Sequence, residues 1–597
     1  MPSLTDSRNM IRGGSFLLAD RRPEEVFTPE DLSDQHRLIA QTAQEFVERE
    51  IVPRLKQIEN KEPGLLRALL RSAGEMGLCA ADVPRQYGGL ELDKISSIII
   101  SEKMARDGAW AATLGAQAGI GILPIAFFGT EAQKEKYVPK LASGEWVGAY
   151  CLSEATSASD ALHCATKATL SADGAHYILN GAKMWVTNGG IADVYVVFAR
   201  VDGEKFTAFI VERGFPGVRP GAEEHKMGIR GSSTTPLNLE DVPVPAENLL
   251  GEIGKGHRIA FNILNIGRLK LGAGCAGGCK LLMIPALKWA KERVAFGRPI
   301  AEFGLIQEKL GGMVVRTYAA ESVSYRTCGL IDGLLGAASE EDPGSQRRLL
   351  EALQEYAVEC SILKVAGTEA LDEVVDEVVQ IFGGYGFSTE YEVERTYRDQ
   401  RVNRIFEGTN EINRLLIVDM LMKRATSGEL PLAAAARDVL GEILAPVAES
   451  GEEGALAPEF RILRGARKSA LLVAGSAIEK HGSRLSEEQE ALGALSNLII
   501  ETYVIESALL RAKKASSASD ESASLHLDAA RCAACEAAER MEAEARRALP
   551  RIAEGDALRT QAAMVRRFLK RDLLDTIAIK RRLAQSALDR ERYPFAC

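Results

Sequence analysis

The stretch R-I-F-E-G-T-N-E-I-N-R, Arg404 to Arg414, puts one carboxylate, Glu407, between an apolar pair and the run Gly408-Thr409-Asn410. Gly and Asn accept backbone conformations that other residues resist, and Thr409 is a helix-capping hydroxyl. Apolar residues recur at Ile412, Leu415, Leu416 and Met420, the spacing of one buried helical face. The pattern predicts Glu407 on a tight turn against apolar surface, at the mouth of a helix. A carboxylate there loses hydration, its pKa rises, and it becomes suited to act as a proton-abstracting base. Taken alone, the same residues also read as an ordinary interhelical turn with a solvated glutamate.

The cysteines and histidines point away from a metal site or a cysteine redox pair. Cys275 and Cys279, and Cys532 and Cys535, lie at helical spacing in Ala/Gly-rich sequence, the pattern of small packing residues. With ten cysteines, seven histidines and no Cys/His grouping, no metal site is expected. A net charge of -10 argues against a general nucleic-acid partner, which needs a basic face. No signal-peptide core and no run of roughly 18 apolar residues is evident, so a reduced, cytoplasmic protein is expected.

The elements that must position Glu407 follow from periodicity. At 597 residues the chain exceeds one core, and about 100–200 residues per domain suggests several units. Residues 1–27 read as a loose leader. Thr28-Pro29-Glu30-Asp31 is a helix start, opening a helical N-terminal domain over 28–147, in which Thr130 and Gln133 form a capping box. Between 148 and 254, short β-branched and aromatic runs alternate with Asn180-Gly181, Asn188-Gly189-Gly190 and Asp202-Gly203, which predicts a small antiparallel β-domain or barrel. Long helical patterns return over 255–426, broken at Gly297-Arg298-Pro299 and Phe382 to Gly386. A linker (Gly428 to Pro431, Ala445-Pro446, Gly451 to Pro458) leads to a C-terminal helical extension over 427–597 with a polar interruption at Ser516 to Ser524. Its last part, Arg559 to Arg592, carries ten basic residues against four acidic ones with interleaved apolar positions. Such a helix packs on a neighbouring domain or lies on an anionic membrane. The chain is thus mainly α with a central β-domain. The order helices, strands, helices, without a G-x-G-x-x-G after a strand, disfavours a Rossmann sheet.

Four segments together resemble the acyl-CoA dehydrogenase family over about residues 30–425, and most closely its very-long-chain type with an extra C-terminal helical domain. Tyr150-Cys-Leu-Ser-Glu154 through Ser159-Asp160 is similar to the family's C-L-T-E-P-x-x-G-S-D loop, departing at Ala155 to Ala158, where Pro and Gly are lost. Lys183-Met-Trp-Val-Thr-Asn-Gly189 resembles its K-x-W-I-T-N-G strand. Arg293-Val-Ala-Phe-Gly297 and Gln380-Ile-Phe-Gly-Gly-Tyr-Gly386 resemble its phosphate-contacting segments, and E-G-T at 407–409 resembles its catalytic segment.

The resemblance implies FAD as cofactor and α,β-dehydrogenation of a fatty acyl-CoA to the trans-2-enoyl-CoA in β-oxidation. By carry-over, Glu407 removes the α-proton. Tyr150, Ser153, Ser159, Trp185, Thr187, Arg293, Phe296, Gln380, Gly384, Thr409 and Glu411 border the flavin cofactor, with Arg293 and the Gln380–Gly386 segment serving a neighbouring subunit. Ser159, Arg268 and Gly408 border the substrate. Some relatives carry their base in an earlier helix just before an Arg; that place is Gly267 here, which leaves Glu407. The expected partners are an electron-transferring flavoprotein and a second copy of the chain, with peripheral membrane contact through the basic tail open. Two alternatives stand beside this: an acyl-CoA oxidase on the same scaffold, and a non-catalytic assembly protein using the C-terminal helices.

Overall fold

The structure, a computed structural model, describes residues 11–336, 345–442, 454–517 and 522–595. Residues 1–10, Ala445-Pro446 and Gly451 to Glu453, and part of the interruption at Ser516 to Ser524, lie outside the described residues.

The N-terminal domain is helical: α1 (Asp34–Phe46), α2 (Leu55–Glu59), α3 (Leu65–Glu75), α4 (Lys94–Met104), α5 (Gly108–Gly115), α6 (Leu123–Phe128) and α7 (Glu131–Ala142). A π-helical turn, Ala116–Gly121, follows α5. The capping box forms as expected, Gln133 N–H donating to Thr130 Oγ1 at 3.3 Å and Thr130 N–H to Gln133 Oε1 at 3.0 Å. The first start signal fell early. Thr28 caps only a short turn, Pro29–Asp31, and α1 begins after Ser33, whose Oγ accepts from His36 N–H.

The central domain is one sheet of β1 (Gly148–Cys151), β2 (Lys167–Leu170), β3 (His176–Thr187), β4 (Val194–Val201), β5 (Lys205–Glu212), β6 (Val218–Pro220), β7 (Thr234–Pro245) and β8 (Leu249–Leu250). The path β6-β7-β3-β2-β4-β5-β8 is mostly antiparallel, but β1 and β2 run parallel to β4. Asp202-Gly203 makes the β4–β5 hairpin, both residues at positive φ. Asn180-Gly181, read as a turn, is instead a bulge inside β3, which pairs with β7 on either side of it. Cross-strand partners outweigh a local turn signal there.

The third region comprises α8 (Gly256–Glu292), the hairpin β9 (Val294–Ala295) and β10 (Arg298–Pro299), α9 (Gly304–Leu335), α10 (Ser345–Glu355), α11 (Ala357–Phe382), α12 (Glu392–Gln400) and α13 (Asn410–Ser427). The extension adds α14 (Leu432–Gly441), α15 (Ala457–His481), α16 (Gln489–Ser517), α17 (Ala523–Ile552), α18 (Gly555–Phe568) and α19 (Thr576–Arg590). It shares a continuous hydrophobic core with the bundle, including Tyr318 and Val323 of α9 and Leu509 and Leu583 of the extension. Buried charge also joins them: Arg511 on α16 meets Glu321 on α9 at 2.6 Å.

From residue 11 the leader is not loose. Gly14 N–H donates to Glu359 at 2.7 Å, Arg467 holds the Phe16 carbonyl at 2.7 Å, and the Phe16 ring packs on Tyr503. The basic tail packs: Met564, Val565, Leu583 and Ala587 are buried, while Leu573 and Ile577 remain exposed. Cys275, Cys279, Cys532 and Cys535 are buried helix residues. Two segments, Gly108–Phe128 and Gln489–Ser516, do prove long and apolar enough to cross a membrane, yet 72% and 78% of their apolar windows are buried in the fold.

Candidate active site

The turn before α13 carries Glu407 in a left-handed conformation, φ 56°, followed by Gly408 at φ 80°. Non-glycine residues adopt this rarely and at a cost, so something must impose it. Three side chains do. Arg268 Nε donates to the Glu407 carbonyl at 3.1 Å, and Lys364 Nζ to the Gly408 carbonyl at 2.8 Å. Asn413 Nδ2 donates to the Gly408 and Thr409 carbonyls at 2.8 and 3.0 Å. Thr409 caps α13, accepting from Ile412 N–H at 3.2 Å. Lys364 also grips Asn410 Oδ1 at 2.7 Å. With its carbonyls drawn into the bundle, the turn leaves the Glu407 N–H without an acceptor among the described residues.

The Glu407 carboxyl faces the other way. Residue 407 is half-buried as a whole, but Oε2 is enclosed and has no hydrogen-bonding partner. Burial pushes its pKa up to about 7, against the opposing pull of Arg268 and Lys364. Burial likewise draws Lys364 down to about 8. Gly267 on α8 lies directly against this carboxyl: a Cβ at 267 would stand 2.5 Å from Oε2. At the position that some relatives use for their base, any side chain would displace the carboxyl of residue 407.

Glu407 lines an apolar cavity of about 600 Å³ bounded by α4, α5, the π-turn, α8 and α12, with Thr187, Ile229 and Phe406 in its wall. β3, which lends Thr187 to the cavity wall, also carries Trp185, which has φ 55° and is 57% exposed, an indole face without cover. Tyr150 on β1 packs on Phe198 at 5.1 Å and keeps a buried hydroxyl with no partner. Burial, and then Glu407, lift its pKa well above the usual phenol value.

The loop after β1 is firmly held although Pro and Gly are missing from it. Glu154 and Ser157 exchange backbone hydrogen bonds of 2.8 and 3.2 Å, closing the Ala155–Thr156 turn. The Glu154 carboxylate takes Lys183 Nζ at 2.6 Å and Thr166 N–H at 3.1 Å, so buried charge replaces the lost backbone constraints. Ser153 offers its carbonyl to Met184 N–H at 3.0 Å, whereas Ser159 and Asp160 stand exposed on the outer edge. Arg268, expected at the substrate, is buried beneath the turn as its support. Glu411 is exposed in the first turn of α13, its carboxyl held below the usual range by its own backbone N–H.

A second cleft, of about 520 Å³, gathers the phosphate-type residues. Arg293 lies over the Tyr385 ring at 5.4 Å, beside Gly384 in the turn Gly383–Phe387. Gln380 is exposed on the last turn of α11. Phe296, at the hairpin tip with φ 50°, is 96% exposed. Trp289 stacks on Phe382 with ring centroids 4.7 Å apart and an 11° tilt, and Tyr391 completes this aromatic wall. Neither Glu407 nor Trp185 borders this cleft.

Sequence reasoning missed Lys364, Asn413, Trp289 and Tyr391. The first two left a signal, as lone polar residues on otherwise apolar helix faces (C-S-I-L-K-V-A-G and N-R-L-L-I-V).

An uncovered indole on β3, an orphaned phenol within electrostatic reach of the Glu407 carboxyl, and a separate Arg–glycine cleft fit the two ends of FAD. This is the build of a flavin-dependent dehydrogenase. Family models match in order: the acyl-CoA dehydrogenase N-terminal domain at 33–145, the middle domain at 149–242, and two models described as the C-terminal domain at 254–422 and 465–567. A "Probable acyl-CoA dehydrogenase" of Bacillus subtilis is 48% identical over 98% of both chains. The crystal structure of an acyl-CoA dehydrogenase complexed with FAD from Bacillus anthracis superposes with TM-score 0.95 at 47% identity, covering 98% of this chain and all of that one. The human "Very long-chain specific acyl-CoA dehydrogenase, mitochondrial" is 42% identical over 58% of this chain and 51% of its own length. The chain belongs to the acyl-CoA dehydrogenase family, whose cofactor is FAD.

Proposed function

We propose that the chain oxidises long-chain fatty acyl-CoA thioesters to trans-2-enoyl-CoA in β-oxidation. The observation that carries this is the Glu407 carboxyl, enclosed, unpartnered and poised near neutrality in an apolar cavity. Glu407 takes the α-proton. Its own free N–H is placed to stabilise the thioester oxygen as charge builds there, a contribution of about 3–4 kcal/mol for one such donor. Arg268, Lys364 and Asn413 hold that N–H and the carboxyl in register by fixing the turn. The apolar wall excludes water from the acyl chain. FAD, when bound, supplies the acceptor for the β-hydride.

Two helical glycines support a long acyl chain. Gly115 and Gly119 line the cavity, have ordinary helical φ, and a Cβ on either would meet nothing within 4 Å. A helix interior gives up roughly 0.5–1 kcal/mol for each glycine relative to alanine. Here neither packing nor backbone demands them, so the space they leave serves a ligand.

Two further features favour a homodimer that completes the FAD site: the exposed Phe296 and the separation of the Arg293 cleft from Trp185. An electron-transferring flavoprotein is the proposed electron acceptor. An anaerobic titration of the holoenzyme with acyl-CoAs of graded length, followed by flavin bleaching, tests the proposal. Bleaching is expected to be strongest with long chains, and absence of bleaching at any length refutes it. Hydrogen peroxide formed without an added acceptor would select the oxidase.

A further inference from the structure

The cavity does not end where its apolar lining ends. Gly267, against Glu407, and Lys288 both border it. They lie 21 residues apart on α8, roughly 30 Å at 1.5 Å per residue. Between them, past Lys270, which is paired with Asp82 at 2.6 Å, the wall is mostly apolar and includes Leu281, Leu282, Ile100 and Met104. At the far end it becomes charged: Arg106, Lys288, Glu392 and Arg395 all border the cavity.

These residues converge from separate elements. α4 runs beside α8, with Glu102 meeting Lys280 at 2.7 Å, and Arg106 follows a turn later. Trp289 touches Tyr391, which directly precedes Glu392. Arg106 bonds Glu392 across this end at 2.8 Å, with side chains 31% and 53% exposed, so the cavity reaches solvent there. Arg395 sits 3.8 Å from Asp107. Because the Arg106–Glu392 pair stays in contact with water, a charged group arriving there would not have to be buried unpaired.

We propose that the substrate cavity is a channel with a rear mouth at the Arg106–Glu392 pair. Through it the enzyme also accepts long acyl-CoAs whose far end bears a carboxylate. The thioester sits at Glu407, the chain lies along α8, and the terminal carboxylate exchanges with Glu392 for Arg106 at the solvent edge. A short chain cannot do this, because its carboxylate would lie among Leu281, Leu282 and Met104. The inference rests on the acyl-CoA reading above.

The test is calorimetric binding to holoenzyme carrying Glu407→Gln, so that no turnover intervenes. Docosanedioyl mono-CoA is expected to bind within about threefold of docosanoyl-CoA, and decanedioyl mono-CoA at least about tenfold more weakly than decanoyl-CoA. Adding Arg106→Ala should weaken docosanedioyl binding about tenfold and leave docosanoyl binding within about twofold. Rejection of docosanedioyl as complete as that of decanedioyl, with docosanoyl still bound, overturns the rear mouth alone. Equal loss of both long ligands on Arg106→Ala overturns the role of Arg106. Failure of every unsubstituted acyl-CoA to bind overturns the underlying function.

Discussion

The two ends of the site are built on opposite principles. Around Glu407 everything needed is inside one chain: buried donors fix the turn, a glycine makes room for the carboxyl, and the cavity is walled by helices. Around Arg293 the groups are exposed, a phenylalanine projects from a hairpin, and the glycine turn faces open space. The base is preorganised within the protomer, whereas the phosphate-type residues lie on open surface. Rigidity belongs where a proton must move over a short path, and openness where a large ligand must enter before the site closes.

The sharpest break of this comparison is Glu407→Gln, expected to leave yellow, folded holoenzyme and to lower turnover about 10⁴-fold, the upper range for a general base. Stopped-flow reduction with excess acyl-CoA measures it, and turnover near that of the parent would end the assignment. Next, Arg293→Ala combined with Phe296→Ala should weaken FAD retention about a hundredfold, read by flavin release on dilution, together with the oligomer by light scattering. Intact FAD binding in a monomer would show that the second cleft is not completed by a partner. Gly267→Ala should lower kcat about ten- to a hundredfold with FAD still bound, by pushing the carboxyl out of register.

Acidity supplies a subtler effect. The folded pKa of Glu407, about 7, lies above the free value of 4.5. Between those values the folded chain keeps a proton that the unfolded chain has lost. Stability from this group therefore falls as pH rises through the window, while activity rises because the base must be ionised. Glu407→Gln should melt higher than the parent at pH 8 and alike near pH 4, and identical differences at both would contradict the buried carboxyl. The smallest change is Gly119→Leu, which should shift the preferred acyl length downward with little loss on short substrates. An unchanged length profile would remove the long-chain argument.

Much of this was legible in the residues. The E-G-T-N run announced a tight turn because its residue types are those that tolerate one, and short β-branched and aromatic runs with Gly-bearing breaks separated the sheet from the helices flanking it. What stayed hidden depended on distant partners. Asn180-Gly181 carries a hairpin signal, yet β7 pairs on both sides of it and converts it into a bulge. The leader lacks an amphipathic pattern of its own, so its docking through Glu359, Arg467 and Tyr503 was invisible. Arg268 was placed at the substrate by analogy, but its guanidinium reaches backward to a carbonyl, a direction no spacing encodes. The Ala155–Ala158 departure looked loosening only because its compensation, Lys183 on Glu154, spans 29 residues.

Gly267 and Glu407 compete for one small volume, and that turns the location of the base into an either-or choice. A carboxylate installed on α8 would displace the one on the turn before it could replace it. A side chain gained at one position therefore moves the carboxyl at the other, a coupling set by a few cubic ångströms.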